Sequence, residues 1–193
     1  TGSGKTLVAH ALHAVSQNMA RALISVHCSA YDEDTLSRRL FGPIEENDQF
    51  LPAFEEAKGG TLILEDIETL TIELQGKLLD KLVGLEHSLD MRLITISNHS
   101  SPTFAKKILR DDLYFRLSSL KISVPALRKR GNDIIDLFSQ YALSFSEEYG
   151  CSPPLLTPEQ SSQLMQAPWQ GNVRQLINIA EQIVIQLRRG ELN

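Results

Sequence analysis

The chain has 193 residues, of which 42% are hydrophobic and 22% are charged, proportions typical of a globular protein with one or two domains and a substantial core. Its 24 acidic residues outnumber its 19 lysines and arginines, so the composition does not favour nucleic-acid binding by this segment itself. The two cysteines make no disulfide framework and indicate free thiols in a reducing, cytoplasmic compartment, and the absence of a long apolar run predicts no membrane contact.

The first six residues read TGSGKT, which matches the second half of the phosphate-binding motif G-x-x-x-x-G-K-[ST]. In such a loop, backbone N–H groups surround the phosphates, the lysine reaches the outer phosphates and the hydroxyl binds Mg²⁺. The alternative is a Gly/Ser turn that caps a helix, but the amphipathic helix predicted over residues 5–17 favours the nucleotide interpretation. The predicted phosphate-binding residues are Gly2, Ser3, Gly4, Lys5 and Thr6. Because a buried strand normally precedes such a loop, we expect the chain to be a fragment that begins inside its own nucleotide site.

The next segments read as a strand and two helices joined by a loop. An apolar run over 22–28 predicts a strand buried on both faces. A polar helix follows around 32–40, then an acidic, proline-broken loop over 41–53, then a short helix over 54–57 that two glycines terminate.

The most informative strand covers residues 61–67, where an apolar run leads directly into Glu65 and Asp66. A buried strand that delivers two carboxylates at its carboxyl end suits Mg²⁺–phosphate chemistry beside a phosphate-binding loop. One acid would hold the water shell of the metal, and the other would orient the attacking water. The alternative is a solvated strand end, and the upstream loop favours the functional interpretation.

Helix and strand then alternate. A helix is predicted over 70–85, a strand over 91–97 that ends at Asn98, helical material over 102–116 and a strand over 120–124. Asn98 either senses the γ-phosphate and positions water or simply starts a turn. Strands that alternate with helices predict a parallel, doubly wound α/β sheet.

The pattern becomes purely helical in the last third of the chain. Helices are predicted over 132–149, 158–167 and 171–189, and the last carries a continuous apolar stripe. We therefore predict an α/β nucleotide-binding domain over residues 1–131 and a helical domain over 132–193.

Several separated motifs together resemble the central AAA+ domain of sigma-54-dependent bacterial transcription activators, the enhancer-binding proteins. The resemblance covers nearly the whole chain and rests on the opening TGSGKT and on LFG at 40–42, FEEAKGGTL at 54–62, QGKLL at 75–79, LRDDLYFRL at 109–117, PALRKR at 125–130 and WQGNVRQL at 169–176. It implies a P-loop AAA+ fold, a parallel sheet with helices on both faces, followed by a small all-helical lid.

The resemblance also implies a role for each matching residue. Lys5 and Thr6 take the Walker A positions, Glu65 and Asp66 the Walker B pair, with Thr6 and Glu65 beside the metal, and Asn98 the sensor I position. Arg110 and Arg116 match the arginine fingers that reach a neighbouring protomer, and Arg174 matches sensor II on the lid. The implied cofactors are ATP and Mg²⁺, and the implied assembly is a ring of identical subunits, a hexamer or a heptamer.

Four departures from the family pattern bear on function. The GAFTGA loop that contacts sigma-54 is replaced by residues 43–53, and a companion loop is reduced to residues 85–90. The Walker B order is Glu-Asp where the family has Asp-Glu. His27 replaces an asparagine that contacts the catalytic glutamate, either as a substitute partner or as filler.

Three hypotheses follow. In the first, the chain is an ATP-binding oligomerisation module of a transcription regulator that does not remodel sigma-54 polymerase. DNA would then be bound by a C-terminal helix-turn-helix outside this chain, and an N-terminal receiver or sensor would control the protein. In the second, it is an active ATPase that remodels sigma-54 RNA polymerase holoenzyme to open promoters. In the third, the motifs are a remnant without a nucleotide role. The inverted acid pair puts hydrolysis in question more than binding, because positioning errors of roughly an ångström can cost about a hundredfold in rate.

Overall fold

The computed structural model describes residues 1–17, 19–42, 51–84, 91–98 and 108–190. It divides into two compact units. The first runs from Lys5 to Ser123, and the second combines Thr1–Gly4 with the chain from Val124 onward. No helix among the described residues is long and apolar enough to cross a membrane.

The first unit alternates helices and strands. Its elements are α1 (Lys5–Ala14), β1 (Leu23–His27), α2 (Glu33–Phe41), α3 (Ala53–Glu56), β2 (Thr61–Glu65), α4 (Ile72–Gly84), β3 (Arg92–Ile96) and α5 (Asp111–Leu117). The described strands form a parallel sheet in the order β1-β2-β3. The register pairs His27 with Glu65 and Glu65 with Ile96, so the carboxyl ends of all three strands meet at one edge.

Helices cover both faces of this sheet, which confirms the predicted α/β fold class. On one face, Ala9 of α1 packs against Ile63 and Ile96. On the other face, a larger core joins Leu62 and Leu64 to apolar side chains of α2, α3, α4 and α5. The strand β2 lies between two neighbours and is buried at all five positions, which places the start of the Glu65–Asp66 pair at the centre of the sheet.

Two strand predictions are wrong. The strand β1 is not buried on both faces, because it lies at an edge of the described sheet and Ser25 and His27 are exposed. Residues 120–124 are not assigned as a strand, and Leu120 and Ile122 are 84% and 53% exposed. An alternating apolar pattern becomes a strand only where a neighbouring strand pairs with its backbone, and no described strand pairs with this segment.

The second unit is helical, as expected. It contains α6 (Asp133–Tyr149), α7 (Pro158–Gln166) and α8 (Asn172–Arg188). Helix α7 begins with a capping box, in which Thr157 and Gln160 each bind the other's backbone N–H. The apolar stripe predicted on α8 packs its buried members, Leu176, Ala180 and Val184, against α6 and Trp169.

Some predicted segments lie outside the described residues. They are residues 43–50 of the predicted loop, the link over 85–90 and the first part of the helical segment over 102–116.

Candidate nucleotide-binding site

Glu65 is the last residue of β2 and is 6% exposed. Its Oε2 accepts a hydrogen bond of 2.5 Å from the Thr6 hydroxyl in the first turn of α1. Its Oε1 accepts from the Ser25 hydroxyl at 3.0 Å and lies 3.1 Å from His27 Nε2. Because carboxylates are rarely buried without partners, these three neighbours explain how the fold accommodates Glu65.

Asp66 follows in a left-handed conformation, with φ 56° and ψ 43°. That conformation is uncommon for a residue with a side chain and is typical of turns and functional sites. Its carboxylate accepts a hydrogen bond of 2.6 Å from the Ser29 hydroxyl and another of 2.6 Å from Asn98 Nδ2. Asp66 is therefore held by donors that follow β1 and β3, the two neighbours of its own strand.

Asn98 connects the lysine of the predicted phosphate loop to this acid. Its Oδ1 accepts a hydrogen bond of 3.0 Å from Lys5 Nζ, and its Nδ2 donates to Asp66. Its backbone N–H donates to Glu68 at 2.8 Å. One chain of hydrogen bonds thus runs from Lys5 through Asn98 to Asp66, and the neutral amide does not cancel the lysine charge.

Of the predicted site residues, these two sets of hydrogen bonds bring together Lys5, Thr6, Glu65, Asp66 and Asn98. Ser25 and Ser29 were not predicted from the sequence, because a single serine within or just after a strand has no distinctive pattern of its own. The one available signal was their position in, or just after, a strand adjacent to the one that carries the acids. His27 contacts Glu65, the first acid of the pair, and not Asp66, which stands where the family has its catalytic glutamate, so His27 is a partner of the other acid.

In the second unit, the residues nearest Gly2 come from the turn before α8 and from its first residues. A Cβ added to Gly2 would lie 2.6 Å from the Gly171 carbonyl oxygen and 3.3 Å from Arg174 Cβ. Gly2 also has φ 71°, which favours glycine. Within this unit, the predicted sensor residue Arg174 is therefore adjacent to the phosphate-loop residue Gly2.

Comparison with known proteins identifies the family. The model of the sigma-54 interaction domain matches residues 1–123, and that of the AAA+ ATPase lid domain matches residues 128–193. The chain belongs to the sigma-54 interaction domain family. This confirms the resemblance stated from the sequence motifs.

Its relatives in this family include transcription regulators. The chain is 34% identical over 202 residues to the HTH-type transcriptional regulatory protein TyrR of Salmonella typhimurium, with all of this chain and 39% of that protein aligned. It is 35% identical to the C4-dicarboxylate transport transcriptional regulatory protein DctD of Pseudomonas aeruginosa, with 97% of this chain and 44% of DctD aligned. The chain therefore spans less than half the length of these relatives.

Solved structures agree with the family assignment. NtrX from Brucella abortus superposes with a TM-score of 0.85 and 31% identity over 97% of this chain and 46% of that chain. The structure of NtrX in complex with ATP superposes with a TM-score of 0.83 over 96% of this chain and 43% of that chain.

In this sigma-54 interaction domain, the two predicted finger arginines have partners within their own unit. Arg110 contacts both carboxylate oxygens of Asp112, at 2.8 and 3.2 Å, and this raises its pKa while lowering the pKa of Asp112. Arg116 donates to the Leu82 carbonyl oxygen at 3.2 Å. In the single chain, Arg110 is thus paired with Asp112 at the surface, and a finger role requires the guanidinium to leave Asp112.

Beside the acids, burial and the charge of Asp66 raise the pKa of Cys28 to about 12. The thiol is therefore protonated at physiological pH and adds no charge to the site. Within the described part of the chain, no group of three or more His, Cys, Asp or Glu side chains is arranged as a metal cage. Magnesium in nucleotide sites does not require one, because it usually takes one or two protein ligands and completes its shell with phosphate oxygens and water.

Proposed function

We propose that this chain is the ATP-binding module of a bacterial transcription regulator, and that ATP binding controls its self-association. One observation carries the proposal: two hydrogen-bonded chains, one from Lys5 through Asn98 to Asp66 and one from Thr6 to the adjacent Glu65, meet at the carboxyl edge of the sheet. In open α/β sheets, ligands bind outside the carboxyl ends of the strands. The family membership and the ATP complex of NtrX support the same ligand.

Mg²⁺ is proposed as the companion ion. The Thr6 hydroxyl and the Glu65 carboxylate lie 2.5 Å apart, so two hard oxygen ligands are close enough to serve the same ion. That donor set fits magnesium better than a soft metal. Bound there, magnesium would neutralise phosphate charge, while Lys5 would contribute a second positive charge.

For the whole protein, we propose a ring of identical subunits in which Arg110 and Arg116 reach a neighbour's nucleotide and Arg174 contacts the subunit's own. A guanidinium stays charged at physiological pH and can bind two phosphate oxygens at once, which suits all three positions. DNA contact would come from a C-terminal domain outside this chain, and control from an N-terminal receiver or sensor. RNA polymerase is the proposed downstream partner.

A second candidate function is ATP hydrolysis coupled to remodelling of sigma-54 polymerase. The retained arginines, Arg110, Arg116 and Arg174, favour it. The residues at 43–53, which lack the GAFTGA sequence, and the Glu-Asp order of the acids favour binding without remodelling. In vitro transcription with sigma-54 polymerase separates the two functions, because open-complex formation would refute the binding-only proposal.

The proposal is tested on the full-length protein by isothermal titration with ATP and Mg²⁺. We expect binding, a concentration-dependent larger assembly in sedimentation velocity with ATP, and loss of both in Lys5→Ala. Lys58→Ala is the matched control, because Lys58 is an exposed lysine paired with Glu55 on the surface. An ATP affinity and an assembly that are unchanged by Lys5→Ala would instead support the remnant hypothesis.

A further inference from the structure

Three consecutive backbone carbonyls of the phosphate loop are each bound by a donor from elsewhere in the second unit. Asn172 Nδ2 donates to the Thr1 carbonyl at 2.9 Å, the Val173 N–H donates to the Gly2 carbonyl at 2.9 Å, and Arg130 Nη2 donates to the Ser3 carbonyl at 2.5 Å. A run of three such contacts on adjacent residues fixes the direction of each peptide plane.

The direction of a carbonyl determines the direction of the following N–H. In a trans peptide, the C=O of one residue and the N–H of the next point to opposite sides of the chain. Holding the carbonyls of Thr1, Gly2 and Ser3 toward the helical residues therefore directs the N–H groups of Gly2, Ser3 and Gly4 away from them. Successive N–H groups that point the same way form an anion-binding concavity.

The donors are themselves held in place. Asn172 is 7% exposed, has φ 53°, and accepts a hydrogen bond of 2.8 Å from the Leu127 N–H through its Oδ1. Arg130 also donates to the Pro125 carbonyl through Nε and Nη2, at 3.0 and 2.9 Å. Each side chain thus bridges the loop to the segment at 125–127, so its position does not depend on the loop alone.

From these contacts we propose that Arg130 and Asn172 are positioning residues for the phosphate-binding loop: they orient its N–H groups toward the phosphates by binding the opposite side of its backbone. The inference rests on the proposed ATP binding and adds to it. Neither residue touches the nucleotide in this role, and neither was assigned a function from the sequence. The helical residues thereby influence ATP affinity through the loop backbone, independently of the sensor Arg174.

The test compares variants of the full-length protein by isothermal titration with ATP and Mg²⁺. Arg130→Met keeps an apolar stem and removes the donors. Arg130→Lys keeps the charge but replaces the fork with one ammonium group. Arg128→Met is the matched control, since Arg128 is exposed and lies in the short 3-10 helix Leu127–Lys129, which ends immediately before Arg130.

We expect Arg130→Met to weaken ATP binding by roughly tenfold, the usual consequence of losing one charge-assisted hydrogen bond. Arg130→Lys should lie between Arg130→Met and the unaltered protein, and Arg128→Met should bind normally. A second measurement without nucleotide is hydrogen exchange of the Val173 amide, which donates to the Gly2 carbonyl. It should exchange faster in Arg130→Met.

The failures are distinguishable. If the unaltered protein binds ATP and Lys5→Ala does not, but Arg130→Met retains full affinity and normal Val173 exchange, the positioning role is refuted and the proposed function stands. If the unaltered protein binds no ATP, both are refuted. If Arg130→Met does not fold, Arg130→Lys decides, because affinity and exchange equal to those of the unaltered protein would overturn the inference.

Discussion

Shortening Glu65 by one carbon tests whether its length is essential to the site. The family pattern has aspartate at this position, so Glu65→Asp restores the usual residue. The structure nevertheless predicts a loss of function. Glu65 reaches the Thr6 hydroxyl at 2.5 Å and the Ser25 hydroxyl at 3.0 Å from a buried strand end, and that strand cannot move forward to compensate for a shorter side chain.

The magnitude follows from the geometry. Removing one carbon withdraws the carboxylate by about 1.5 Å, the length of a carbon–carbon bond. The contact with Thr6 would then lengthen to roughly 4 Å, beyond hydrogen-bonding range. A carboxylate withdrawn by this distance would no longer reach a magnesium ion held by Thr6, and losing one contact to a charged group costs about 1.5–3 kcal/mol, so the affinity for magnesium–ATP should fall by roughly tenfold or more.

The assay is isothermal titration of the full-length protein with ATP, once with Mg²⁺ and once with excess EDTA. Glu65→Asp should reduce the affinity measured with Mg²⁺ and leave the metal-free affinity nearly unchanged. Glu73→Asp is the control, because Glu73 is an exposed glutamate that pairs with Lys77 within α4. If Mg²⁺ strengthens ATP binding by Glu65→Asp as much as, or more than, it does for the unaltered protein, the reasoning is refuted, since the length of the side chain at position 65 would then be irrelevant.

Two further predictions concern the first unit. Gly60→Ala should lower the free energy of unfolding by about 2–4 kcal/mol in chemical denaturation, since its Cβ would overlap the Ala22 carbonyl oxygen and disturb the start of β2. The control is Gly76→Ala in α4, which should not destabilise the protein because the added Cβ would lie at an ordinary 3.5 Å from Arg110 Nη1. Iodoacetamide at pH 8 should label Cys151 and spare Cys28 in peptide mapping, because burial raises the Cys28 pKa to about 12 and only the thiolate reacts. Labelling of native Cys28 at the rate of Cys151 would contradict the assigned burial.

The sheet and the position of its acids could be predicted from the sequence because both follow from short-range patterns. An apolar run followed by Glu65 and Asp66 specifies a buried strand with polar residues at its carboxyl end. A second apolar run before Asn98 specifies a parallel neighbour. The meeting of these ends then follows from parallel topology, and the lysine of the first motif joins them through the N-terminus of α1.

The partners of the acids could not be predicted in the same way. Whether Ser25, His27 and Ser29 face the acids depends on the register between β1 and β2 and on the turn after His27. A one-residue shift in register would send the side chains of a strand to the other face. Burial of β1 was likewise overestimated, since local hydrophobicity does not report whether a strand has one neighbour or two.

The unusual features of the site are connected to one another. With glutamate first, the longer side chain reaches back to Thr6 and Ser25 and also meets His27, while the shorter Asp66 is reached by Ser29 and Asn98. Each acid therefore has donors matched to its own length, so the inverted order is accommodated by its surroundings. Exchanging the two acids without changing these neighbours would leave a long side chain where Ser29 and Asn98 already lie close and a short one where Thr6 is too distant. For this reason, restoring the family order alone should weaken the metal–nucleotide site, and accommodating the exchanged acids would require changes at His27 and Ser29 as well.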